Sequence, residues 1–128
     1  MLKIVKKVKA SQPKTVSYDL YITRGDSAYI VLEAEALSDD DSPIELPVEC
    51  VASVQVRDAP NGGNILFNGT IDVQNGVFVW HILPENTNNA DKDNYIWDAQ
   101  IKLPNGDVFT FIDLSRFIIL PESTEEDL

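Results

Sequence analysis

The sequence predicts an all-β protein, an antiparallel β-sandwich of about seven to eight strands. Three observations support this fold class. Short runs of alternating apolar and polar residues recur along the chain, and turn residues separate them at intervals of about 8–12 residues. Outside residues 1–14, no window of about 11 or more residues keeps a helical period. The 128 residues suit a single domain with a core of its own.

The expected strands follow from this alternation. In chain order they cover 15–22, 28–36, 50–57, 64–73, 77–83, 94–103, 108–111 and 117–120. Gly69 predicts a bulge inside the fourth strand. Asn75-Gly76 predicts a type I′ hairpin turn, because both central residues of that turn need positive φ. The polar stretch 84–94 has room for a single helical turn.

The best-patterned segment, NYIWDAQIKLPNGDVFTF, occupies residues 94–111. Its alternation directs one set of side chains to the core, namely Tyr95, Trp97, Ala99, Ile101 and Leu103. The opposite set is Ile96, Asp98, Gln100 and Lys102. Trp80 lies in a similar apolar series in the preceding strand, so we expect both tryptophans in the core.

Charge divides the chain into three predicted parts: a basic arm at 1–14, the sandwich at 15–121 and an acidic tail at 122–128. The arm has five lysines and no acid, whereas the rest has five basic and 21 acidic residues, a net charge of −16. The whole chain, at −11, is too acidic for us to expect a nucleic-acid partner. The arm is either a solvated terminus or a segment that docks on an acidic surface, such as a neighbouring copy.

The docking hypothesis assigns the partner contact to the apolar and basic residues of the arm. These are Leu2, Lys3, Ile4, Val5, Lys6, Lys7 and Val8. No apolar run reaches the roughly 18 residues of a membrane span. The arm also lacks the uninterrupted apolar stretch of about 7–15 residues that a secretory signal has. We therefore expect neither a membrane partner nor a secretory leader.

Few residues suggest chemistry. Cys50 is the single cysteine, which excludes an intramolecular disulfide, and its alternating neighbours predict a buried thiol. His81 has no second histidine as a partner and is expected to be structural. The acidic loop at 37–49 contains Asp39–Asp41 but lacks the spacing of a calcium site. We expect no metal, no cofactor and no enzymatic activity.

Arg24-Gly25-Asp26 is the integrin-recognition tripeptide, but glycine and aspartate between two strands are also what a tight turn needs. Two other classes of function stay open. A carbohydrate-binding or receptor-binding module would need aromatic side chains exposed on one face. A small hydrolase would need a cleft with two facing carboxylates.

Several short motifs follow one another in a definite order. They are Ile22 to Asp26; Val54 to Arg57; Gly76, Trp80, Ile82 and Pro84-Glu85-x-Thr87; Tyr95-x-Trp97-Asp98-x-Gln100 with Pro104-Asn105-Gly106 and Thr110; and Phe117 to Leu120. Their order resembles the N-terminal Ig-like domain of baseplate upper proteins of Gram-positive phages, over about residues 15–121. There are two departures. Ser115-Arg116 stands where the family often has glycine, and the family continues into a large second region, so we expect a stand-alone version.

The resemblance implies an immunoglobulin-like sandwich and a non-enzymatic structural or assembly protein of a virion. Its place would be the baseplate, the tail-fibre attachment, the neck or the capsid surface. The implied partners are other virion proteins and further copies of the chain, in a virion assembled in the bacterial host cytoplasm. The resemblance also implies a core motif made of Trp80, Tyr95, Trp97, Asp98 and Gln100, although the alternation directs Asp98 and Gln100 away from the core.

Overall fold

The computed structural model describes residues 2–9, 18–37, 43–44, 49–74 and 77–122. The predicted Asn75-Gly76 turn, the acidic residues Asp39–Asp41 and tail residues 123–128 lie outside them. The described elements are β1 (Leu2–Lys9), β2 (Leu20–Thr23), β3 (Ala28–Leu37), β4 (Pro43–Ile44), β5 (Val51–Arg57), β6 (Ile65–Asn68), β7 (Thr70–Gln74), β8 (Val77–Ile82), α1 (Pro84–Asn88), β9 (Asn94–Lys102) and β10 (Val108–Leu120).

The strands form two sheets. The first has the order β1-β3-β8-β7, with β4 also paired to β3, and the second has the order β2-β10-β9-β5-β6. Two pairs, β1 with β3 and β2 with β10, are parallel, and the others are antiparallel. The predicted all-β sandwich is therefore confirmed. The described part has more strands than expected, because the arm and a short segment of the 37–49 stretch are also strands.

The core lies between the two sheets, where the inward sets of both meet. Trp80 of β8 and Trp97 of β9 have no exposed surface, and their ring centroids lie 5.2 Å apart across the interface. Phe117 of β10, in the second sheet, packs against Trp80 of the first sheet, with a centroid distance of 6.0 Å. The inward set of the best-patterned segment is buried as predicted, from Tyr95 to Ile101. Both tryptophans are thus core residues, as expected.

The stretch 64–73 is not one strand with a bulge. It is two strands in different sheets, because β6 belongs to the second sheet and β7 to the first. The chain crosses at Gly69, whose N–H donates to the carbonyl of Val54 at 2.7 Å. A Cβ at this position would lie only 2.8 Å from Nε1 of Trp80. The glycine was correctly identified as a break, but it marks a change of sheet.

The segments 108–111 and 117–120 are the ends of one continuous strand, β10. The pairing of β10 with β9 shifts register between Thr110 and Ile112 and again between Ile112 and Ser115. These irregularities place Phe111 and Ile112 in the core one after the other, both fully buried. Because two adjacent buried residues break the period of two, alternation alone did not predict the middle of this strand.

Two further expectations concern local structure. The helical turn allowed within 84–94 is present as α1, with Pro84 at its first position. Of the strand expected at 15–22, the structure has β2 from Leu20 to Thr23, whereas residues 15–17 lie outside the described part.

Candidate functional site

The basic arm contributes a strand to the first sheet. β1 pairs in parallel with β3 over eight residues of each strand, from Leu2 beside Ile30 to Lys9 beside Leu37. On its other side β3 pairs with β8 and then with β4. β1 is therefore the outer strand of this sheet. All seven residues assigned to the partner contact, 2–8, lie in it, and the contact itself stays a prediction.

The two strands at this edge have side chains of opposite charge in their sequences. β1 has four lysines and no acid, whereas β3 has two glutamates. The register sets Val5 beside Glu33 and Lys7 beside Glu35. The sequence left the conformation of the arm open, and the structure shows an extended strand whose backbone runs along the acidic half of β3.

The first half of β3 shows which of its residues face the core. Ile30 and Leu32 point inward and are almost fully buried. Tyr29 points outward, is 47% exposed, and stacks on His81 of β8, with ring centroids 4.3 Å apart and planes 10° from parallel. His81 therefore lies on the outer face of the first sheet, in an aromatic pair.

The point at which the N-terminal segment enters the second sheet is held by hydrogen bonds to β10 and β9. The N–H of Tyr18 donates to Oγ of Ser115 at 2.6 Å, and the Tyr18 carbonyl accepts from Nε1 of Trp97 at 2.9 Å. The carboxylate of Asp19 accepts the backbone N–H of Arg116 at 2.9 Å and its guanidinium at 3.0 and 3.1 Å. We call these contacts of Tyr18 and Asp19 the N-terminal clamp.

The N-terminal clamp has an electrostatic component. Hydrogen bonds from the backbone N–H and the guanidinium of Arg116 hold the pKa of Asp19 below its usual value, and the same carboxylate raises the pKa of Arg116. Ser115 is 4% exposed and also donates to the carbonyl of Asp113 at 2.7 Å. Ser115-Arg116 was noted as a departure from the resembled family, and in this chain the two residues anchor the start of the sandwich.

The Arg24-Gly25-Asp26 turn is part of the framework. Nη1 of Arg24 donates to the carbonyls of Thr87 and Ala90, both at 2.9 Å, and so caps the C-terminal end of α1. The N–H of Gly25 donates to Oγ1 of Thr87, which is fully buried, at 2.8 Å. Gly25 has a φ of +82°, which favours glycine. The tripeptide thus connects the β2–β3 turn to α1. The two segments are far apart in the sequence, so the sequence did not predict this contact.

The outward-facing aspartate of the core motif also has a partner. Nη1 of Arg57 lies 3.5 Å from Oδ1 of Asp98, and both side chains are less than one-fifth exposed. Arg57 donates to Oε1 of Gln55 at 3.0 Å, and Gln55 donates to Oδ1 of Asn68 at 3.2 Å. This polar chain connects β9, β5 and β6 across the outer face of the second sheet. Finding it from sequence would have required the strand order.

Gln100, the other outward residue of that motif, is half-buried. It lies between Ser53 of β5 and Thr110 of β10 in the register of the sheet. Both residues of the core motif that face away from the core therefore lie in the middle of the second sheet's outer face, where neighbouring strands flank them on either side.

A further charged contact closes the turn after β5. Oδ1 of Asp58 accepts the N–H of Asn64 at 2.8 Å, and Oδ2 accepts from Nζ of Lys92 at 2.9 Å. The Lys92 ammonium, followed by the Asn64 N–H, keeps the pKa of Asp58 below its usual value. The contact connects the 58–64 loop to the segment between α1 and β9. We interpret it as a structural contact.

The described residues offer little for catalysis or ligation. Cys50 is buried, and burial raises the pKa of its thiol. Within the described ranges, no three His, Cys, Asp or Glu side chains are grouped so that they could hold a metal ion. No helix in the described part of the chain is long and apolar enough to cross a membrane.

Comparisons with known proteins give distant likenesses to solved structures. No protein-family model matches the chain, and no curated protein matches it. Similar solved structures include the N-terminal domain of phage TP901-1 ORF48, at a TM-score of 0.40 and 10% identity, covering 96% of this chain and 100% of that one. The bradyzoite-specific antigen BSR4 from Toxoplasma gondii has a TM-score of 0.46 and 14% identity, with 97% of this chain and 51% of that one covered.

Murine CRIg is a third such structure, with a TM-score of 0.42 and 12% identity over 84% of this chain and 95% of that one. These comparisons assign the chain to no family. The three likenesses come from a phage, a parasite and a mouse, and at these TM-scores they support no argument about function. The resemblance to baseplate upper proteins therefore stays a prediction.

Proposed function

We propose that the chain is a non-enzymatic structural or assembly protein of a phage virion. It joins virion components through protein–protein contacts, as part of the baseplate, the tail-fibre attachment, the neck or the capsid surface. It works as a homo-oligomer with other virion proteins as partners, in a particle assembled in the bacterial host cytoplasm. Nucleic acid, membranes and cofactors have no part in this function.

The observation that carries the proposal is the coherence of the motifs on which the resemblance rests. Arg24 of the first motif binds the carbonyl of Thr87 in the third. Arg57, which ends the second motif, faces Asp98 of the fourth. Residues far apart in sequence but matched to one family pattern thus contact each other in pairs. Such contacts support the proposal, because they join the matched residues into one framework.

The distribution of charge and edges supports the same function. An acidic body with a basic strand at one edge can join like units, because the strand of one is attracted to the body of another. The paired region is long enough for a contact between copies. β3 has ten residues, and the arm pairs along its outer side. Assembly through this edge needs no catalytic group.

A sugar-binding module is less well supported. It would need aromatic rings exposed together on one face, but Trp80 and Trp97 are completely buried. The exposed tyrosines, Tyr21 and Tyr29, lie in different sheets. The described surface therefore does not group its large aromatics into a platform for a sugar ring.

The experiment that tests the function is quantitative mass spectrometry of purified phage particles from a host that expresses this chain. We expect the chain in washed particles at a fixed ratio to the major capsid protein. Its absence from particles, with unchanged particle yield when the gene is disrupted, would contradict the proposed function.

The role of the arm is tested in the same particles by reversing one charge. Lys6→Glu in β1 is expected to lower incorporation, because it weakens attraction to an acidic neighbour. Lys102→Glu makes the same change on the exposed end of β9 and is the matched control, with incorporation as in the wild type. Equal incorporation of the two variants would remove the arm from the proposed interface.

A further inference from the structure

We propose that β1 is exchanged between copies of this chain. In the assembled state, the β1 strand of one copy pairs in parallel with β3 of a neighbouring copy, in the register that the chain has with itself. This inference rests on the proposed function, since assembly supplies the neighbouring copy. It names the second copy as the occupant of the β3 edge and β1 as the segment that occupies it.

The first argument is that β3 always needs a strand at this edge. β3 has ten residues, and β1 covers eight of them, from Ile30 to Leu37. An unpaired edge of that length would be a template for uncontrolled association. Exchange leaves every β3 covered by exactly one β1, although by that of another copy. The number of backbone hydrogen bonds is therefore conserved, and the exchanged form has no extra bare edge.

The second argument is reach. β1 belongs to the first sheet, whereas Tyr18 is fixed at the second sheet by the N-terminal clamp. Packed sheets lie about 10 Å apart. The eight residues between Lys9 and Tyr18 can span up to about 26–29 Å when extended. This upper limit exceeds the spacing of the sheets, so the length of the connection alone does not restrict β1 to the β3 edge of its own chain.

The third argument is charge. Two acidic bodies repel each other, since each has a net charge of −16 outside the arm. A strand with four lysines placed on the neighbour's β3 puts positive charge between them, beside a stretch that includes Glu33 and Glu35. The register that matches β1 to β3 is present in every copy. A second copy therefore fits this edge better than an unrelated protein would.

The test uses two chains that each have one new cysteine. One has Val5→Cys and the other Glu33→Cys, positions that are register partners in β1 and β3. Neighbouring strands lie about 4.8 Å apart, within the Cα separation of about 4.4–6.8 Å that a disulfide allows. Both chains have Cys50→Ala, which removes the native buried thiol. The two chains are co-expressed with different affinity tags and oxidised after purification.

Exchange predicts a disulfide between the two chains, because the two thiols meet only when β1 of one copy lies on β3 of the other. As a control for random collision, Val5→Cys is co-expressed with Val51→Cys, whose position is 59% exposed on the second sheet. We expect at least about tenfold more linked heterodimer in the β1–β3 combination, since pairing raises the effective thiol concentration to the millimolar range.

A single chain with both Val5→Cys and Glu33→Cys completes the design. Linked heterodimer at the control level, together with only intrachain disulfide in this double variant, would overturn the exchange. No disulfide in either experiment would overturn it as well, because β1 would then not lie beside β3 in any copy.

The two proposals can fail separately. Incorporation into particles is measured on the unmodified chain, whereas exchange is measured on purified variants. An intrachain disulfide in a protein that is still present in particles contradicts exchange alone. An interchain disulfide in a protein that is absent from particles contradicts the virion function alone.

Discussion

The two long sides of the sandwich are closed in different ways. On one side, β6 of the second sheet continues directly into β7 of the first, with Gly69 as the only residue between them. On the other side, β1 and β2 lie at the edges of different sheets, and ten residues separate Lys9 from Leu20. The first closure is fixed by the direct continuation of the chain, whereas in the proposed exchange a neighbouring copy supplies the second.

The forces that hold the two sides differ accordingly. At the crossing, the backbone of Gly69 lies against Trp80 in the core, where there is no room for a side chain. At the opposite side, the N-terminal clamp holds Tyr18 and Asp19 through hydrogen bonds to Ser115 and Arg116. A close-packed core has little space for added side-chain atoms, so the crossing at Gly69 tolerates few substitutions. The exposed hydrogen bonds between Asp19 and Arg116 compete with water, so the side with the clamp should be the easier one to open.

The largest expected effect is at the crossing. In Gly69→Val, the new Cβ would lie 2.8 Å from Nε1 of Trp80 and 3.0 Å from Cβ of Val54, both in the buried core. Adding methyl groups to a packed core typically costs 1–3 kcal/mol, and this site should reach about 3 kcal/mol or more. The free energy of unfolding from urea titration measures it.

The matched control is Ser53→Val, which adds a valine to the exposed side of β5. It should change the free energy of unfolding by no more than about 0.5 kcal/mol. A Gly69→Val variant as stable as this control would show that the crossing has space for a side chain, and the contrast between the two sides would then lose its physical basis.

A smaller effect is expected from the clamp. Ser115→Ala leaves the part-buried N–H of Tyr18 without its acceptor. A fully buried unpaired donor costs about 1–3 kcal/mol, so we expect a loss of about 1 kcal/mol here. Ser53→Ala is the control, since Ser53 is exposed on the same sheet. In the paired-cysteine experiment, Ser115→Ala should leave the β1–β3 disulfide in place, because the clamp anchors the connection and not the strand. Unchanged stability would mean that Ser115 does not hold Tyr18 in solution.

The contrast between the sides also explains which elements the sequence could predict. β5, β8 and β9 were predicted closely because each keeps a strict period of two with one face in the core. The stretch 64–73 consists of strand-forming residues interrupted only near Gly69, so it was predicted as a single strand although it passes from one sheet to the other. Alternation reports which side of a strand is buried, and it does not report the sheet to which that strand belongs.

The long-range contacts of the framework could not be predicted for a different reason. Arg24 on Thr87 and Arg57 on Asp98 join residues that are distant along the chain. Their positions in the motifs were visible, but the partner of each depends on strand order. The strand at 2–9 was also hidden, because adjacent lysines at 6 and 7 interrupt its alternation and only pairing with β3 makes it a strand.

The smallest expected effect is electrostatic and again concerns the clamp. The pKa of Asp19 is lower in the folded protein than in the unfolded chain, where it is about 3.9, because the Arg116 backbone N–H and guanidinium donate to the carboxylate. The ion pair therefore stabilises the fold above about pH 4, and this contribution is lost as the pH falls through the lowered folded-state value.

Asp19→Asn removes this contribution, so its stability should fall less steeply than that of the wild type between about pH 4 and pH 2. Arg116→Ala keeps the backbone donor, which is the larger cause of the shift, and its slope should lie between the two. Gly69→Val changes no titrating group, so it should lose stability at all pH values and keep the wild-type slope. Urea midpoints at each pH measure these slopes. If Asp19→Asn and the wild type lose stability in parallel, the Asp19–Arg116 contact does not persist in solution, and the clamp consists only of the hydrogen bonds of Tyr18 with Ser115 and Trp97.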